Sequence, residues 1–444
     1  MSDIADRVGG RFEWMSGEEL ASFQSEALRQ TIGRAAKSAY YGARFKQIGL
    51  DPADIRTRED ITRLPFTTKE DLRLSYPTGM LAVEPEKVIR MHTSSGTTGK
   101  PTAIFHARED VDCWAELMAR CLAMVGATSQ DVFQNMTGYG LFTGGLGLHY
   151  GAERLGMWVI PAGAGNTSRQ ILLIRDFHVT VIHATPSYAM HVAERMIQDG
   201  DDPRSLGIKI AALGAEPYTE EMRLKLQDLY GFKAYNSYGL SEMNGPGVAF
   251  ECQCQDGMHV WEDAYLVEIV DPDTLEPARE GEVGELVMTT LRRAAMPIIR
   301  CRTRDLTRII PGECECGRKH MRLARIVGRS DDMLIVRGVN VFPSEIEEVI
   351  MRHRWIGGNC VIHLTTREAL DQMTVRVEIN KNAFDGSIET LRRLRAGLQH
   401  ELRDQIGFSA DLEVLEPGSL PASEGKARRV IDEREQVRSA CTTR

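Results

Sequence analysis

One stretch determines how this chain is interpreted, Thr93-Ser94-Ser95-Gly96-Thr97-Thr98-Gly99-Lys100-Pro101. It lies between a predicted strand over residues 88–92 and an apolar run over 102–105. Glycines allow the backbone to approach a ligand, and exposed N–H groups in such a loop cradle phosphate oxygens, to which hydroxyls and a lysine add donors. Only two residues separate Gly96 from Gly99, so the spacing is not that of a Walker loop. The stretch predicts a phosphate-binding loop, against the alternative of a Ser/Gly linker.

Strands, loops and helices alternate in the part of the chain that follows. Three predicted strands each lead into a loop: 179–184 into Thr185-Pro186-Ser187, 208–213 into Gly214-Ala215-Glu216-Pro217, and 233–237 into Tyr238-Gly239-Leu240-Ser241-Glu242. A helical pattern precedes them over residues 16–48. This alternation predicts an α/β fold, in which ligands collect beyond the carboxyl ends of the strands.

Length and composition limit the classes of protein. A chain of 444 residues is too long for one ordinary core, so we expect a large domain and at least one smaller domain. A net charge of −9 argues against nucleic acid as the main partner. No segment has the length or apolar character of a membrane span or a signal peptide. We therefore expect a cytoplasmic protein whose nine cysteines are mostly reduced.

Composition changes near residue 330, which predicts a domain boundary there. Beyond it follow a strand-like run over 333–336, a helix from about 344, a strand over 373–379, an Arg-rich helix over about 388–405 and a strand over 411–415. The predicted organisation is a large, multi-layer N-terminal domain over 1–330 and a small α+β domain over 331–444.

Several polar residues in the loops suit a bound nucleotide. A lone carboxylate such as Glu242 beside phosphates is best explained as a magnesium ligand, because otherwise it would repel them. Asp305 could accept hydrogen bonds from both ribose hydroxyls, and Arg329 and Lys426 supply positive charge. Each has an ordinary alternative: Glu242 as a solvated acid, Asp305 as an ion-pair partner of its arginine neighbours, and Lys426 as a solubilising tail residue.

At these residues the chain closely resembles the acyl-adenylate-forming (ANL) superfamily and, within it, the phenylacetate–coenzyme A ligases. The superfamily elements are 93–101, 238–242, 302–305, 328–332 and the Lys426 segment over 421–426. More specific to the ligases are Gly138 to Gly147, Gly245 to Val248 and Arg337 to Pro343. The resemblance covers nearly the whole chain. It implies that a carboxylate attacks the α-phosphate of ATP and that the thiol of coenzyme A then displaces AMP.

The resemblance also implies a role for each residue. Those implied to bind ATP or AMP are Thr93, Ser94, Ser95, Gly96, Thr97, Thr98, Gly99, Lys100, Ala215, Glu216, Pro217, Asn236, Ser237, Tyr238, Asp305 and Arg329. Glu242 binds Mg²⁺, and Lys426 stabilises the charge that develops during adenylation. The small domain swings about a hinge at Asp331, and Gly338, Val339 and Asn340 form the coenzyme A loop. Because relatives in this subfamily often pair, a homodimer is one of the expected states.

The acid is expected to be small and aromatic. Tyr139, Phe142, Gly214, Ala215 and Pro246 resemble the family's aryl pocket, where an aromatic wall faces small residues. Phenylacetate leads, with benzoate-, aminobenzoate- and indoleacetate-type acids as alternatives. Two rival functions stay open: an adenylating enzyme with another acceptor, and a non-catalytic nucleotide-binding regulatory module. Intact Lys426, Glu242 and Asp305 argue against the second.

Cysteines and a histidine form a separate group. Two C-x-C pairs, Cys252/Cys254 and Cys314/Cys316, accompany His259. Thiolates with one imidazole suit zinc. We expect a structural zinc on Cys252, His259, Cys314 and Cys316, with Cys254 and His320 as substitutes, against the alternative of scattered reduced cysteines.

Overall fold

The structure, a computed structural model, describes residues 10–94, 101–141, 143–332, 334–336, 339–367, 370–380, 387–407, 409–420 and 429–434. The chain forms two compact units. The first contains Met1–Ala184, Leu206–Ala215 and Lys233–Ile326, and the second contains Thr185–Ser205, Glu216–Phe232 and Val327–Arg444. The boundary after residue 330 stays a prediction, because the second unit also takes two segments from the middle of the chain.

Six helices lie in the described part of the first unit: α1 (Gly17–Ala35), α2 (Ala39–Ile48), α3 (Lys69–Leu74), α4 (Arg108–Met124), α5 (Gly144–Leu155) and α6 (Thr167–Asp176). The helical pattern over 16–48 is therefore two helices and not one. Ser16 opens α1 with a capping box to Glu19, and Ser38 caps α2 by accepting a hydrogen bond from Tyr41 N at 3.2 Å. None of the described helices is both long enough and apolar enough to cross a bilayer.

The strands of the first unit are β1 (Val88–Ser94), β2 (Thr102–Ala107), β3 (Val132–Asn135), β4 (Trp158–Ile160), β5 (Val181–Ala184), β6 (Ile210–Gly214), β7 (Lys233–Leu240), β8 (Gly245–Glu251), β9 (Met258–Val260), β10 (Tyr265–Val270), β11 (Gly284–Thr290), β12 (Cys301–Thr307), β13 (Ile309–Ile310) and β14 (Arg322–Leu323). Nine of them form one sheet in the order β13-β14-β9-β8-β7-β6-β5-β3-β4. From β4 to β7 the neighbours are parallel, and from β7 to β13 they are antiparallel.

The parallel part of this sheet forms the centre of the first unit. Every residue of β5 and β6 is buried, as expected for strands covered on both faces. β1 and β2 form an antiparallel pair on either side of residues 95–101, and β10, β11 and β12 form an antiparallel sheet. The α/β fold class predicted from the alternating pattern is confirmed.

The second unit contains α7 (Pro186–Gln198), α8 (Glu220–Tyr230), α9 (Pro343–Met351) and α10 (Ile388–Ile406) with β15 (Gly328–Arg329), β16 (Leu334–Val336), β17 (Val339–Val341), β18 (Ile356–Arg367), β19 (Leu370–Ile379), β20 (Asp411–Leu415) and β21 (Val430–Asp432). Its main sheet has the order β20-β19-β18-β21, with β18 and β19 antiparallel and the outer two pairs parallel. The predicted helices and strands of the region beyond residue 330 are present, and β17, β18 and β21 are additions to them.

Candidate active site

The carboxyl ends of β6 and β7 lie side by side, and their parallel register pairs Gly214 with Ser237. A side chain at Gly214 would not fit, because its Cβ would lie 2.3 Å from the Ser237 carbonyl oxygen. Ala215 follows with φ of 71°, a left-handed conformation that is uncommon for alanine. Asn236 is buried one residue earlier on β7, where its N–H donates to Glu251 at 2.7 Å. The structure thus brings Gly214 and Ala215 beside Asn236 and Ser237.

Tyr238 and Asp305 come together from two sheets. The Tyr238 hydroxyl on β7 donates a hydrogen bond of 2.6 Å to Asp305 Oδ2 on β12. The sequence placed Tyr238 in a loop, and this was wrong. β7 continues to Leu240 because it pairs with β8 as far as Gly245, and Tyr238 is therefore held in a ladder.

Glu242 lies in a single 3₁₀ turn, Ser241–Met243, which joins β7 to β8. The residue is only 8% exposed, and none of the hydrogen bonds or ion pairs found among the described residues involves its carboxylate. Buried carboxylates normally have such partners, and free carboxylate oxygens are the ligands that Mg²⁺ prefers. The residue therefore fits a magnesium ligand better than a solvated surface acid.

The predicted phosphate loop is described only at its two ends. Thr93 and Ser94 close β1, and Thr102 opens β2, whereas Ser95 to Lys100 lie outside the described residues. The Thr93 N–H donates to the Leu141 carbonyl at 3.1 Å, and His92 Nδ1 lies 3.2 Å from the same oxygen. The entry to the loop is thereby fixed beside the segment that contains Tyr139.

Two segments of the predicted aryl pocket meet over one side chain. Trp114 Nε1 on α4 donates to the Pro246 carbonyl at 3.3 Å. A Cβ at Gly147 would lie 2.5 Å from Trp114 Cζ2 and 2.9 Å from Pro246 Cγ, so only glycine fits there. Tyr139 lies on the same segment as Gly147, and its hydroxyl contacts His149 Nδ1 at 3.1 Å. Phe142 lies outside the described residues.

The second unit contains the remaining predicted residues. Glu216 Oε1 accepts a hydrogen bond from Ser187 N at 2.7 Å, and Pro217 is in the same loop. Arg329 forms a two-pronged contact with Asp331 at 2.8 and 2.9 Å, which joins the expected ribose-binding arginine to the expected hinge residue. Val339 and Asn340 lie on β17. Gly338 and Lys426 are outside the described residues.

The predicted metal ligands converge in the first unit. The ligand atoms of Cys252, His259, Cys314 and Cys316 all lie within 4.8 Å of one another. The sulfurs of Cys252 and Cys314 are 3.6 Å apart, and Cys316 Sγ lies 3.3 Å from His259 Nε2. A tetrahedral zinc with bonds of about 2.3 Å to sulfur and about 2.0 Å to nitrogen requires separations of roughly 3.8 and 3.5 Å. The cluster has the size of a zinc site.

Hydrogen bonds also orient the side chains in and around this cluster. His259 Nδ1 lies 3.0 Å from the His320 carbonyl, an arrangement that puts the proton on Nδ1 and directs Nε2 into the cluster. The His320 ring lies against Trp261, and its Nε2 is 4.0 Å from Asp263, so this residue contributes its backbone and not its ring. Cys254 is exposed and is not part of the cluster. Neither substitute is needed.

Two buried side chains at this site were missed at the level of sequence. Trp114 follows the apolar pattern of a helix, which cannot be distinguished from ordinary core. Arg293 lies between β11 and β12, and it donates to the carbonyl oxygens of Glu242 and Phe105, both at 2.8 Å. The only signal in the sequence is the pair Arg292-Arg293 directly before an apolar run.

Comparisons with protein families agree with these observations. Residues 43–291 match the family model described as AMP-binding enzyme, and residues 338–434 match the AMP-binding enzyme C-terminal domain. Among solved structures, the chain is similar to 2-hydroxyisobutyryl-CoA ligase in the postadenylation state in complex with 2-HIB-AMP. The TM-score is 0.91 at 30% identity, covering 98% of this chain and 94% of that one.

Curated relatives are similar over almost their full length. The chain is 44% identical to the phenylacetate–coenzyme A ligase of Thermus thermophilus, covering 95% of this chain and 98% of the relative. It is 43% identical to the phenylacetate–coenzyme A ligase of Escherichia coli strain K12, covering 96% and 97%. Identity at this level over the whole length, together with both family models, establishes the family of this chain. This chain belongs to the phenylacetate–coenzyme A ligase family and is an AMP-forming acid–coenzyme A ligase.

Proposed function

We propose that the acid activated by this ligase is phenylacetate. ATP and the acid would give phenylacetyl-adenylate and pyrophosphate, and coenzyme A would then give the thioester and AMP. The observation that carries the proposal is the packing of Gly147 and Pro246 against Trp114, where Gly147 belongs to the segment that also contains Tyr139. Small residues packed on an aromatic floor suit a flat ring. The names of the relatives in Thermus thermophilus and Escherichia coli support the same acid.

The nucleotide would bind across the ends of β1, β6 and β7. In this proposal Thr93 to Lys100 hold the β- and γ-phosphates, residues 214–217 and 236–238 frame adenine, and Asp305 holds the ribose with help from Arg329. The close approach of Gly214 to Ser237 and the bond between Tyr238 and Asp305 support it. Mg²⁺ at Glu242 would neutralise phosphate charge. The residue is largely buried and its carboxylate accepts no hydrogen bond among the described residues, which supports that role.

Two functional domains would divide the two half-reactions. We assign residues 1–330 to an adenylation domain and 331–444 to a mobile domain, with the hinge at Asp331. The two family models support the assignment, because they end and begin on either side of Asp331. Lys426 would act in adenylation, and Gly338 to Asn340 would line the coenzyme A site. A homodimer and a cytoplasmic location are also proposed, on resemblance and composition.

A structural zinc would be held by Cys252, His259, Cys314 and Cys316. The separations of 3.6 and 3.3 Å between ligand atoms and the proton placed on His259 Nδ1 support it. The four residues do not include any residue that we assign to ATP or the acid. Zinc would therefore stabilise the fold and take no part in the reaction.

A panel of acids with ATP, Mg²⁺ and coenzyme A tests the proposed substrate. We expect kcat/KM for phenylacetate to exceed the values for benzoate, aminobenzoate and indoleacetate, with AMP and thioester formed in equal amounts. A higher value for one of the other acids would replace phenylacetate. AMP formation without thioester would point to another acceptor.

Lys426→Ala tests the division of labour between half-reactions. We expect the rate of adenylation, measured by ATP–pyrophosphate exchange, to fall about 100-fold or more, because a positive charge that stabilises the transition state is lost. Thioester formation from supplied phenylacetyl-adenylate should stay close to the wild-type rate. Equal loss of both steps contradicts the assignment.

A further inference from the structure

We infer that Arg293 is a positioning residue for adenylation, whose guanidinium holds the Glu242 turn against β2, the strand that leaves the phosphate loop. The inference rests on the proposed roles of Glu242 and of residues 93–100. It adds a residue that neither the motifs nor the comparisons assign.

The contacts of Arg293 join the two elements that would handle phosphate. Nη1 donates to the Glu242 carbonyl and Nη2 donates to the Phe105 carbonyl, each at 2.8 Å. Phe105 lies in β2, which begins directly after Pro101, and Glu242 lies in the turn between β7 and β8. One planar side chain therefore fixes the distance between the magnesium-ligand turn and the phosphate-loop strand.

Arg293 is a buried cation that forms no direct ion pair among the described residues, and the carboxylates that act on its charge are those of Asp110 and Glu242. It is 1% exposed, and in the described part of the chain it forms hydrogen bonds only to the two carbonyl oxygens. Other buried arginines have carboxylate partners: Arg120 contacts Asp263 at 3.0 Å, and Arg300 contacts Glu268 at 2.8 Å. Burial lowers the pKa of Arg293, but a guanidinium still stays charged at neutral pH. A buried positive charge without a direct ion pair is costly in a core, and it is useful beside a polyphosphate.

The backbone around Arg293 is held by a buried acid. Asp110, in the first turn of α4, accepts hydrogen bonds from Ala294 N at 2.7 Å and Ala295 N at 3.1 Å. The same carboxylate accepts from Ala107 N, the last residue of β2, at 2.7 Å. Asp110 thus locks the residues that follow Arg293 to the end of β2. Because the backbone next to Arg293 and its guanidinium are both held by hydrogen bonds, the side chain restricts the movement of the Glu242 turn.

A binding experiment separates positioning from general stability. Mn²⁺ can replace Mg²⁺ and is detected by electron paramagnetic resonance. α,β-Methylene-ATP cannot be cleaved at the bond that adenylation breaks. Mn²⁺ binding to the enzyme–nucleotide complex can therefore be measured without turnover. In Arg293→Met we expect Mn²⁺ binding to weaken about tenfold, since the two charge-assisted bonds that hold the turn are lost. Arg293→Lys keeps the charge but not the fork, so an intermediate value is expected and provides a second variant if the first fails to fold.

Arg300 provides the matched control. It is also buried, and it also donates to a backbone carbonyl, that of Leu64 at 2.8 Å. It differs from Arg293 in its ion pair with Glu268 at 2.8 Å, and none of these contacts is to Glu242 or β2. Arg300→Met should lower stability and leave Mn²⁺ affinity unchanged. Wild-type affinity in Arg293→Met, or an equal weakening in Arg300→Met, overturns the inference. If Glu242→Gln binds Mn²⁺ as tightly as wild type, Glu242 is not the metal ligand. That outcome rejects the proposed role of Glu242 and, with it, the inference on Arg293.

Discussion

The Tyr238 hydroxyl donates a hydrogen bond of 2.6 Å to Asp305 Oδ2, which ties the central sheet to β12. The bond orients the carboxylate that we assign to the ribose. In Asp305→Ala we expect KM for ATP to rise about tenfold or more, because hydrogen bonds to a charged acceptor are lost. Tyr238→Phe keeps the carboxylate and loses only its orientation, so a smaller rise is expected.

Deoxynucleotides test whether Asp305 contacts the sugar. Wild type should prefer ATP to 2′-deoxy-ATP in adenylation, and Asp305→Ala should lose most of that preference. Tyr238→Phe should keep part of it. If Asp305→Ala discriminates between the two nucleotides as well as wild type does, the carboxylate does not bind the ribose hydroxyls.

Removing one thiolate tests the zinc site. In Cys252→Ser we expect the zinc content to fall well below one atom per chain and the Tm to fall by roughly 5 °C or more, because metal binding contributes to folding. Cys254→Ser is the matched control: that thiol is two residues away, exposed and outside the cluster, so metal content and Tm should be unchanged. Metal analysis of protein purified without a histidine tag gives the answer. Wild-type protein without zinc, or equal loss in both variants, excludes the proposed ligand set.

Much of the fold, and the proximity of the strand ends that we propose to bind the nucleotide, could be predicted from the sequence. Parallel strands end at a common edge, so the loops after residues 213 and 237 had to be neighbours once both strands were recognised. The C-x-C pairs predicted a metal site. Which cysteines lie together is seen only in the folded chain, where Cys252 contacts Cys314 across 62 residues of sequence. The resemblance added the roles, which pattern alone does not give.

Other features depend on contacts that no local pattern encodes. Arg293 reaches Glu242 across 51 residues and Phe105 across 188, so its role could not be predicted from its neighbours in sequence. Tyr238 was assigned to the loop after the predicted strand over 233–237, yet pairing with β8 extends the strand. β18 begins at Ile356 with two glycines next in sequence, a composition that disfavours strand prediction until β19 supplies the partner.

Glu262 makes stability depend on pH. Burial, opposed by the hydrogen bond that it accepts from Met321 N at 2.6 Å, raises its pKa from 4.5 to about 7. The folded state therefore holds a proton that the unfolded state releases between these values, so this contribution to stability is present below pH 4.5 and is lost as the pH rises through 7. By pH 8 the loss amounts to about 3 kcal/mol.

Glu262→Gln should remove this dependence, because the amide keeps an acceptor oxygen for Met321 and cannot ionise. Urea unfolding at pH 5 and pH 8 measures it. From pH 5 to pH 8 we expect wild type to lose more of its free energy of unfolding than Glu262→Gln does. Glu276→Gln, at an exposed position, should lose as much as wild type. A parallel pH dependence of wild type and Glu262→Gln would contradict the raised pKa.

Gly147 tests the packing beneath the acid pocket. An alanine Cβ there would lie 2.5 Å from Trp114 Cζ2 and 2.9 Å from Pro246 Cγ. Both neighbours belong to the pocket that we propose for the acid. Helix propensity alone favours alanine by up to about 1 kcal/mol, but overpacking costs about 1–3 kcal/mol, so the clash should decide the sign. We expect Gly147→Ala to lower the free energy of unfolding and to raise KM for the acid more than KM for ATP.

Gly144, in the same helix, is the control for this substitution. Its Cβ would meet no atom within 4 Å, so Gly144→Ala should leave stability unchanged or slightly higher. Denaturant unfolding and initial rates with varied acid measure both effects. If Gly147→Ala raised KM for ATP and for the acid equally, Trp114 and Pro246 would support the fold in general and not the acid pocket, and the choice of a flat aromatic acid would lose its structural basis.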